Sequence, residues 1–175
     1  PLMKKRYLFS EIEHFFFYDV WDNGRVNENV FAYSNQYNTE KAIVFYNNAY
    51  PQASGWIHHS CKYGVKGEND TITLQTKTLG EALALHPEED YYCIFQEMHS
   101  HQWYIRSSKE ICEKGMYVFL NGYESQILMN ITEVKDDATE KYKILCDTLQ
   151  GRGVLDIEKA LREIFLKELY EAFSK

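Results

Sequence analysis

Apolar residues come in short blocks as far as residue 135 and recur at helical spacing beyond it. Residues 15–21 form a dense aromatic block, long enough for one buried strand and too short for a typical helix. Asp22-Asn23-Gly24 then marks a turn, because Asn and Gly tolerate positive φ. Val30-Phe31-Ala32-Tyr33-Ser34 and Ala42-Ile43-Val44-Phe45-Tyr46 predict two strands, joined as a hairpin across the polar connector 35–41. Residues 56–65 predict a further strand, ended by Lys66-Gly67-Glu68-Asn69-Asp70. Thr71-Ile72-Thr73-Leu74-Gln75 alternates polar with apolar, the pattern of a strand with one wet face.

The rhythm changes at residues 78–85, where Leu79, Ala82 and Leu83 share a helical face and Pro87 ends the turn. Strand character resumes over 91–97 and 102–106, on either side of Met98-His99-Ser100-His101. Residues 108–114 predict a short helix closed by Gly115, and 116–120 with 126–134 predict a final hairpin. Ala138, Tyr142, Leu145 and Leu149 follow at helical spacing, and so do Ile157, Leu161, Ile164, Phe165, Leu169, Ala172 and Phe173. Gly151-Arg152-Gly153 separates those two helices, and Asp156 is the expected N-cap of the second. The expected fold class is mainly β with α: an antiparallel β-sandwich followed by a C-terminal helical hairpin. Its expected parts are residues 1–10 as a linker or the last turns of a preceding helix, 11–135 as the sandwich, and 136–175 as the helical hairpin packed on it.

Composition agrees with a β-rich core. The 175 residues include 14 Tyr and 10 Phe, and aromatic side chains suit a half-buried pleated surface. A net charge of −7, with basic residues scattered apart from Lys4-Lys5-Arg6, argues against nucleic acid, since a polyanion repels such a chain. No apolar run approaches the ~20 residues of a membrane helix, so no membrane partner is expected. No apolar segment of a signal peptide follows the basic start. The first residue is Pro1 rather than Met, as expected of a fragment of a longer protein. Cys61, Cys93, Cys112 and Cys146 show neither metal nor redox spacing, which favours free thiols and a cytoplasmic setting.

Candidate chemistry is sparse. His99 and His101 alternate and would share a strand face, and His58, His59 and Cys61 add nitrogen and sulfur donors. A metal needs three or four converging ligands, so the plainer reading, a polar hairpin turn, is preferred and no metal is expected. Glu11, Glu13, Asp19, Glu88, Glu89 and Asp90 give no carboxylate pair that stands out for glycosidic cleavage. There is no Gly-x-Ser-x-Gly elbow, and Cys93 inside Tyr-Tyr-Cys-Ile-Phe reads as a core thiol. Gly151-Arg152-Gly153 lacks the preceding strand of a phosphate loop. No catalytic residue and no cofactor are expected. Trp21, Trp56 and Trp103 are candidate sugar-stacking residues, set against the alternative that they pack the core.

One resemblance spans most of the chain. The stretch from Val26-Asn27-Glu28-Asn29 through Phe31-Ala32-Tyr33-Ser34-Asn35, followed by Lys41-Ala42-Ile43-Val44-Phe45-Tyr46-Asn47-Asn48, resembles the opening of the C-terminal domain in the α-amylase family, family thirteen of the glycoside hydrolases. A bacterial subgroup pattern is similar to Pro1-Leu2-Met3-Lys4-Lys5-Arg6, Ser54-Gly55-Trp56-Ile57, Lys77-Thr78-Leu79-Gly80-Glu81-Ala82-Leu83 and Gly151-Arg152-Gly153-Val154. Residues 117–130 look like the family's closing hairpin. The resemblance implies a parent enzyme that cleaves or transfers α-glucosidic linkages. The family's nucleophilic Asp, acid/base Glu and stabilising Asp lie on an upstream (β/α)8 barrel of ~250 residues, so none is carried over. The implied role is a non-catalytic accessory domain, with the barrel as partner and α-glucan as a further one. A carbohydrate-binding module, and a small-molecule enzyme with a β-sandwich pocket, are the alternatives.

Overall fold

The computed structural model describes Tyr7 and residues 14–173, without the side chains at 168, 169, 171 and 172. The first half of the chain contributes β1 (Phe16–Tyr18), β2 (Trp21–Asp22), β3 (Arg25–Val26), β4 (Val30–Tyr37), β5 (Glu40–Asn47), β6 (Ala53–Ile57), β7 (Tyr63–Lys66), β8 (Ile72–Gln75) and α1 (Leu79–Ala82). The second half contributes β9 (Tyr91–Glu97), β10 (Trp103–Ser107), α2 (Ser108–Lys114), β11 (Met116–Leu120), β12 (Ser125–Lys135), α3 (Lys141–Leu149) and α4 (Ile157–Phe173). A six-stranded sheet has the order β1-β4-β5-β12-β9-β10, a four-stranded sheet has the order β11-β6-β2-β3, and β7 and β8 make a separate pair. The architecture is mixed, with extensive antiparallel sheets and two C-terminal helices.

Period-two alternation sorts the apolar residues onto faces. Ile43, Phe45, Phe95 and Leu128 of the larger sheet meet Val20, Ile57, Val118 and Leu120, from the smaller sheet and its connections, in one core. Leu79 and Leu83 around α1 and Ile111 of α2 complete it. The Thr78 hydroxyl accepts the Glu81 N–H and the Glu81 carboxylate accepts the Thr78 N–H, a reciprocal cap that makes so short a helix tenable. On the opposite face of the larger sheet, Tyr92, Ile94 and Ile105 are covered by Leu145, Leu149 and Ile157 of the α3–α4 hairpin. Asp136 accepts the N–H groups of Tyr142 and Lys143 at the start of α3, and Asp156 caps α4 through the Lys159 N–H. The turn between these helices is tied to β10 by paired main-chain bonds between Trp103 and Val154, and by Arg106 donating from Nη2 to the Gly151 carbonyl at 3.1 Å.

Several expectations need correction. The aromatic block 15–21 is not one strand: β1 and β2 belong to different sheets, and fully buried Val20 lies between them. The connector 35–41 is mostly strand, because Asn38 takes φ 53° and turns the chain between Tyr37 and Glu40. The block 56–65 breaks into β6 and β7. β8 pairs with β7, and its alternation buries nothing: Ile72 and Leu74 are both exposed. β11 and β12 are not a hairpin, since β11 pairs with β6 and β12 lies between β5 and β9. Phe165 and Phe173 of α4 project into solvent. The expected helix end over residues 1–10 lies outside the described residues apart from Tyr7.

Gly115 joins α2 to β11 at φ +83°, and a Cβ there would collide with the Ile57 carbonyl of β6. Gly115→Ala is expected to cost about 3 kcal/mol, from the left-handed backbone and the steric conflict together. Equilibrium urea unfolding measures it, as a lowered midpoint with an unchanged slope.

Candidate binding cleft

The chain leaves β10, the last strand of the larger sheet, and reaches β11, the last strand of the smaller one, through α2 alone. Seven helical residues span about 10 Å, close to the distance between stacked sheets. The two edges are therefore held apart rather than stitched together, and a cleft of about 590 Å³ lies between them. Phe45, Phe95, Leu128 and Val118 form an apolar floor from the core. Polar groups line the rest: Glu97 and Arg106 from the β9–β10 hairpin, Glu110 and Lys114 from α2, Gln126 from β12.

Glu97 is buried at the end of β9. Its carboxylate accepts the N–H groups of His99 (3.1 Å) and Ser100 (2.7 Å), and so closes the β9–β10 turn. Burial alone would raise its pKa, but these main-chain donors outweigh burial and hold it below the usual carboxylate value. Arg106 stacks over the rings of Phe95 and Tyr104. Burial lowers its pKa, and it donates to the carbonyls of Ile105 and Gly151. Lys114 is paired with Glu110 at 3.2 Å. The Gln126 side chain donates to the Phe119 carbonyl at 2.9 Å. That carbonyl therefore faces away from β6, and period-two alternation turns the main-chain N–H and C=O of Tyr117 to the same free edge.

The tryptophan candidates separate. Trp21 and Trp56 face one another across β2 and β6, and Trp56 faces Tyr117 across β6 and β11. They are 48%, 45% and 53% exposed, a row of aromatics on the outer face of the smaller sheet, with Trp56 and Tyr117 also lining the cleft. Trp103 stands apart, packed against the α3–α4 cluster. The rings of His58 and His59 meet edge to face with centroids 4.2 Å apart, His58 Nε2 lies 3.0 Å from the Cys112 carbonyl, and His101 occupies a positive-φ turn position. Among the described residues, no group of three or more His, Cys, Asp or Glu is placed to hold a metal ion. The four cysteines are unbridged. All four thiols are raised in pKa, chiefly by burial, and Cys93 is pushed up to about 12, which leaves it un-ionised near neutral pH.

Sequence reasoning missed Glu97, Arg106, Lys114, Tyr117 and Gln126. The available signal was Arg106, a charged residue within a strand beside Ile105, and Glu97, a charge at the end of a strand that opens with five apolar or aromatic residues. Among the described residues, no helix is long and apolar enough to cross a membrane. Comparison with protein-family models, curated proteins and solved structures finds no match.

Glu97→Gln is expected to destabilise the protein by about 1 kcal/mol at neutral pH, by weakening the charge-assisted bonds of the β9–β10 turn. Because the folded pKa of Glu97 is depressed, its contribution is present above the unfolded value and is lost as pH falls through the folded one. The difference between wild type and variant should therefore shrink on acidification. Urea unfolding of both proteins over a pH series measures it.

Proposed function

We propose that this chain is the non-catalytic C-terminal accessory domain of an α-amylase-like glycoside hydrolase acting on α-glucans. In this reading the two sheets around their shared core are an antiparallel β-sandwich that covers one side of the preceding barrel. The supporting observation is how the outer face of the six-stranded sheet is divided. Its β9–β10 half is covered by the chain's own helices. Its other half is apolar, built on Ala42, Val44, Ile127 and Met129. Phe17 and Phe31 remain 52% and 49% exposed there. β1 is the edge strand on that side, so a preceding domain would lie beside the surface it has to cover. Exposed aromatic residues clustered on one face are the usual mark of an interface. The unbridged thiols suit a cytoplasmic enzyme.

A carbohydrate-binding module is the second reading, favoured by the Trp21–Trp56–Tyr117 row.

The accessory-domain reading predicts that the pure chain releases no reducing sugar from starch or maltoheptaose, and measurable turnover would defeat it. It further predicts self-association through the exposed aromatic residues Phe17 and Phe31 of this half-face. Sedimentation velocity should show concentration-dependent dimers for the wild type and monomers for Phe17→Asp/Phe31→Asp. Monomers throughout would remove the support that the face provides.

A further inference from the structure

We propose that the aromatic row on the outer face of the smaller sheet docks a proline-rich segment of a partner protein, held as a polyproline II helix and followed by a basic residue. Val26, Trp21, Trp56 and Tyr117 are successive cross-strand partners on β3, β2, β6 and β11. Phe119 lies two residues along β11 on the same face, and all five side chains are exposed. Val20, Ile57 and Val118, their immediate neighbours in the chain, are buried in the core, so the row stands on a packed sheet. This docking is independent of the accessory role and competes with the carbohydrate-binding reading for the same rings.

Spacing, ring geometry and hydrogen bonding select this ligand. Neighbouring strands lie ~4.8 Å apart, so Trp21 and Tyr117, two strands apart, are separated by ~9.6 Å. A polyproline II helix repeats every three residues, about 9.3 Å. Laid across the strands, residues i and i+3 of such a segment fall over Trp21 and Tyr117. The rings of Trp56 and Tyr117 meet at 61° with centroids 5.6 Å apart, which leaves a notch for a pyrrolidine ring rather than a flat platform. Among the described residues, the indole N–H groups of Trp21 and Trp56 and the Tyr117 hydroxyl make no hydrogen bond. An indole N–H can only donate. Proline supplies a carbonyl acceptor and no N–H, and the extended helix leaves its carbonyls unbonded, so those donors find partners and no donor of the ligand is left over.

Charge fixes the flanking residue. Glu97, Glu110 and Glu124 line the cleft beside Tyr117 with only Arg106 and Lys114 as cations, so that end of the row is negative on balance. Glu110 pairs with Lys114, whereas Glu124 is held by the N–H groups of Asn121. At the other end Asp22 and Arg25 are cross-strand partners of opposite charge. A basic residue after the prolines therefore belongs at the Tyr117 end. Single-stranded nucleic acid would also stack on such rings, but its phosphates would meet a chain of net charge −7.

The test is calorimetric titration of the full chain with a synthetic peptide of two consecutive Pro-x-x-Pro turns ending in arginine, with amide chemical-shift mapping by NMR. A peptide of the same composition in scrambled order, one ending in glutamate, and maltoheptaose serve as comparators. The expected result is saturable binding with a dissociation constant on the order of 10–100 μM, and shifts gathered on β2, β6 and β11. Trp56→Ala is expected to weaken binding at least about tenfold. Trp56→Phe, which keeps a ring in the sheet and loses the N–H, is expected to weaken it about threefold to tenfold and guards against loss of folding in the first variant. The peptide ending in glutamate is expected to bind at least about threefold more weakly, a difference that shrinks at high salt. Phe17→Asp/Phe31→Asp is expected to leave binding unchanged, which separates this face from the accessory-domain reading. Absence of saturable binding, equal binding of the scrambled peptide, or binding indifferent to both Trp56 variants would overturn the proposal. Binding of maltoheptaose at the row, with none of the peptide, would overturn it in favour of the carbohydrate-binding reading.

Discussion

Both faces of the six-stranded sheet are apolar, so the fold depends on finding a cover for each. Inward, the smaller sheet with α1 and α2 supplies it, and the fully buried residues Ile43, Phe45, Ile57 and Leu120 mark where the two sides meet. Outward, the helical hairpin covers the β9–β10 end, held by the Trp103–Val154 pairing and by Arg106 at Gly151. A two-sided sheet cannot leave such surface in water cheaply, at ~25 cal/mol per Å² of apolar area. On the half-face of β1, β4, β5 and β12, Ala42, Val44, Ile127 and Met129 are buried while Phe17 and Phe31 stay exposed, and the proposed accessory role draws its support from those two rings.

The same constraint creates the cleft. β12 is the central strand that shares the larger sheet between two neighbours, pairing with β5 over Ser125–Leu128 and with β9 up to Lys135, with an irregularity between Met129 and Thr132. The chain therefore crosses between sheets on either side of β11, through α2 before it and through the Asn121–Glu124 turn after it. Gly115 and Gly122 both sit at these crossings, pressed against the backbone of Ile57 and Tyr50 respectively. Close backbone approach fixes β11 against β6 and leaves its other edge open toward β10.

Much of this was legible in the amino-acid pattern. The strands at residues 91–97 and 116–120, the short helix before Gly115, and the helix that begins at Ile157 all appear as expected, because local burial rules decide them. What failed was pairing. Nothing in residues 116–134 says that the first strand joins β6 rather than its neighbour, since both partners offer the same apolar alternation. Thr71-Ile72-Thr73-Leu74-Gln75 has the rhythm of a half-buried strand, yet no second layer reaches it. The cleft was illegible for the same reason: Glu97, Lys114 and Gln126 converge only through sheet order, and no spacing in the chain records that. Trp21 and Trp56 were singled out for their chemistry, but their being cross-strand partners is again a fact of pairing.

The β7–β8 arm carries a separate consequence. An isolated two-stranded ribbon is marginal by itself, and here both strands pair only with each other, while Ile72 and Leu74 face solvent. Its tip, Gly67 to Asp70, with Asn69 and Asp70 at positive φ, is exposed at every residue. Lengthening, shortening or replacing that tip should leave the rest of the molecule folded. This makes it the place where foreign sequence, such as a reporter or an affinity handle, can be grafted with least disturbance.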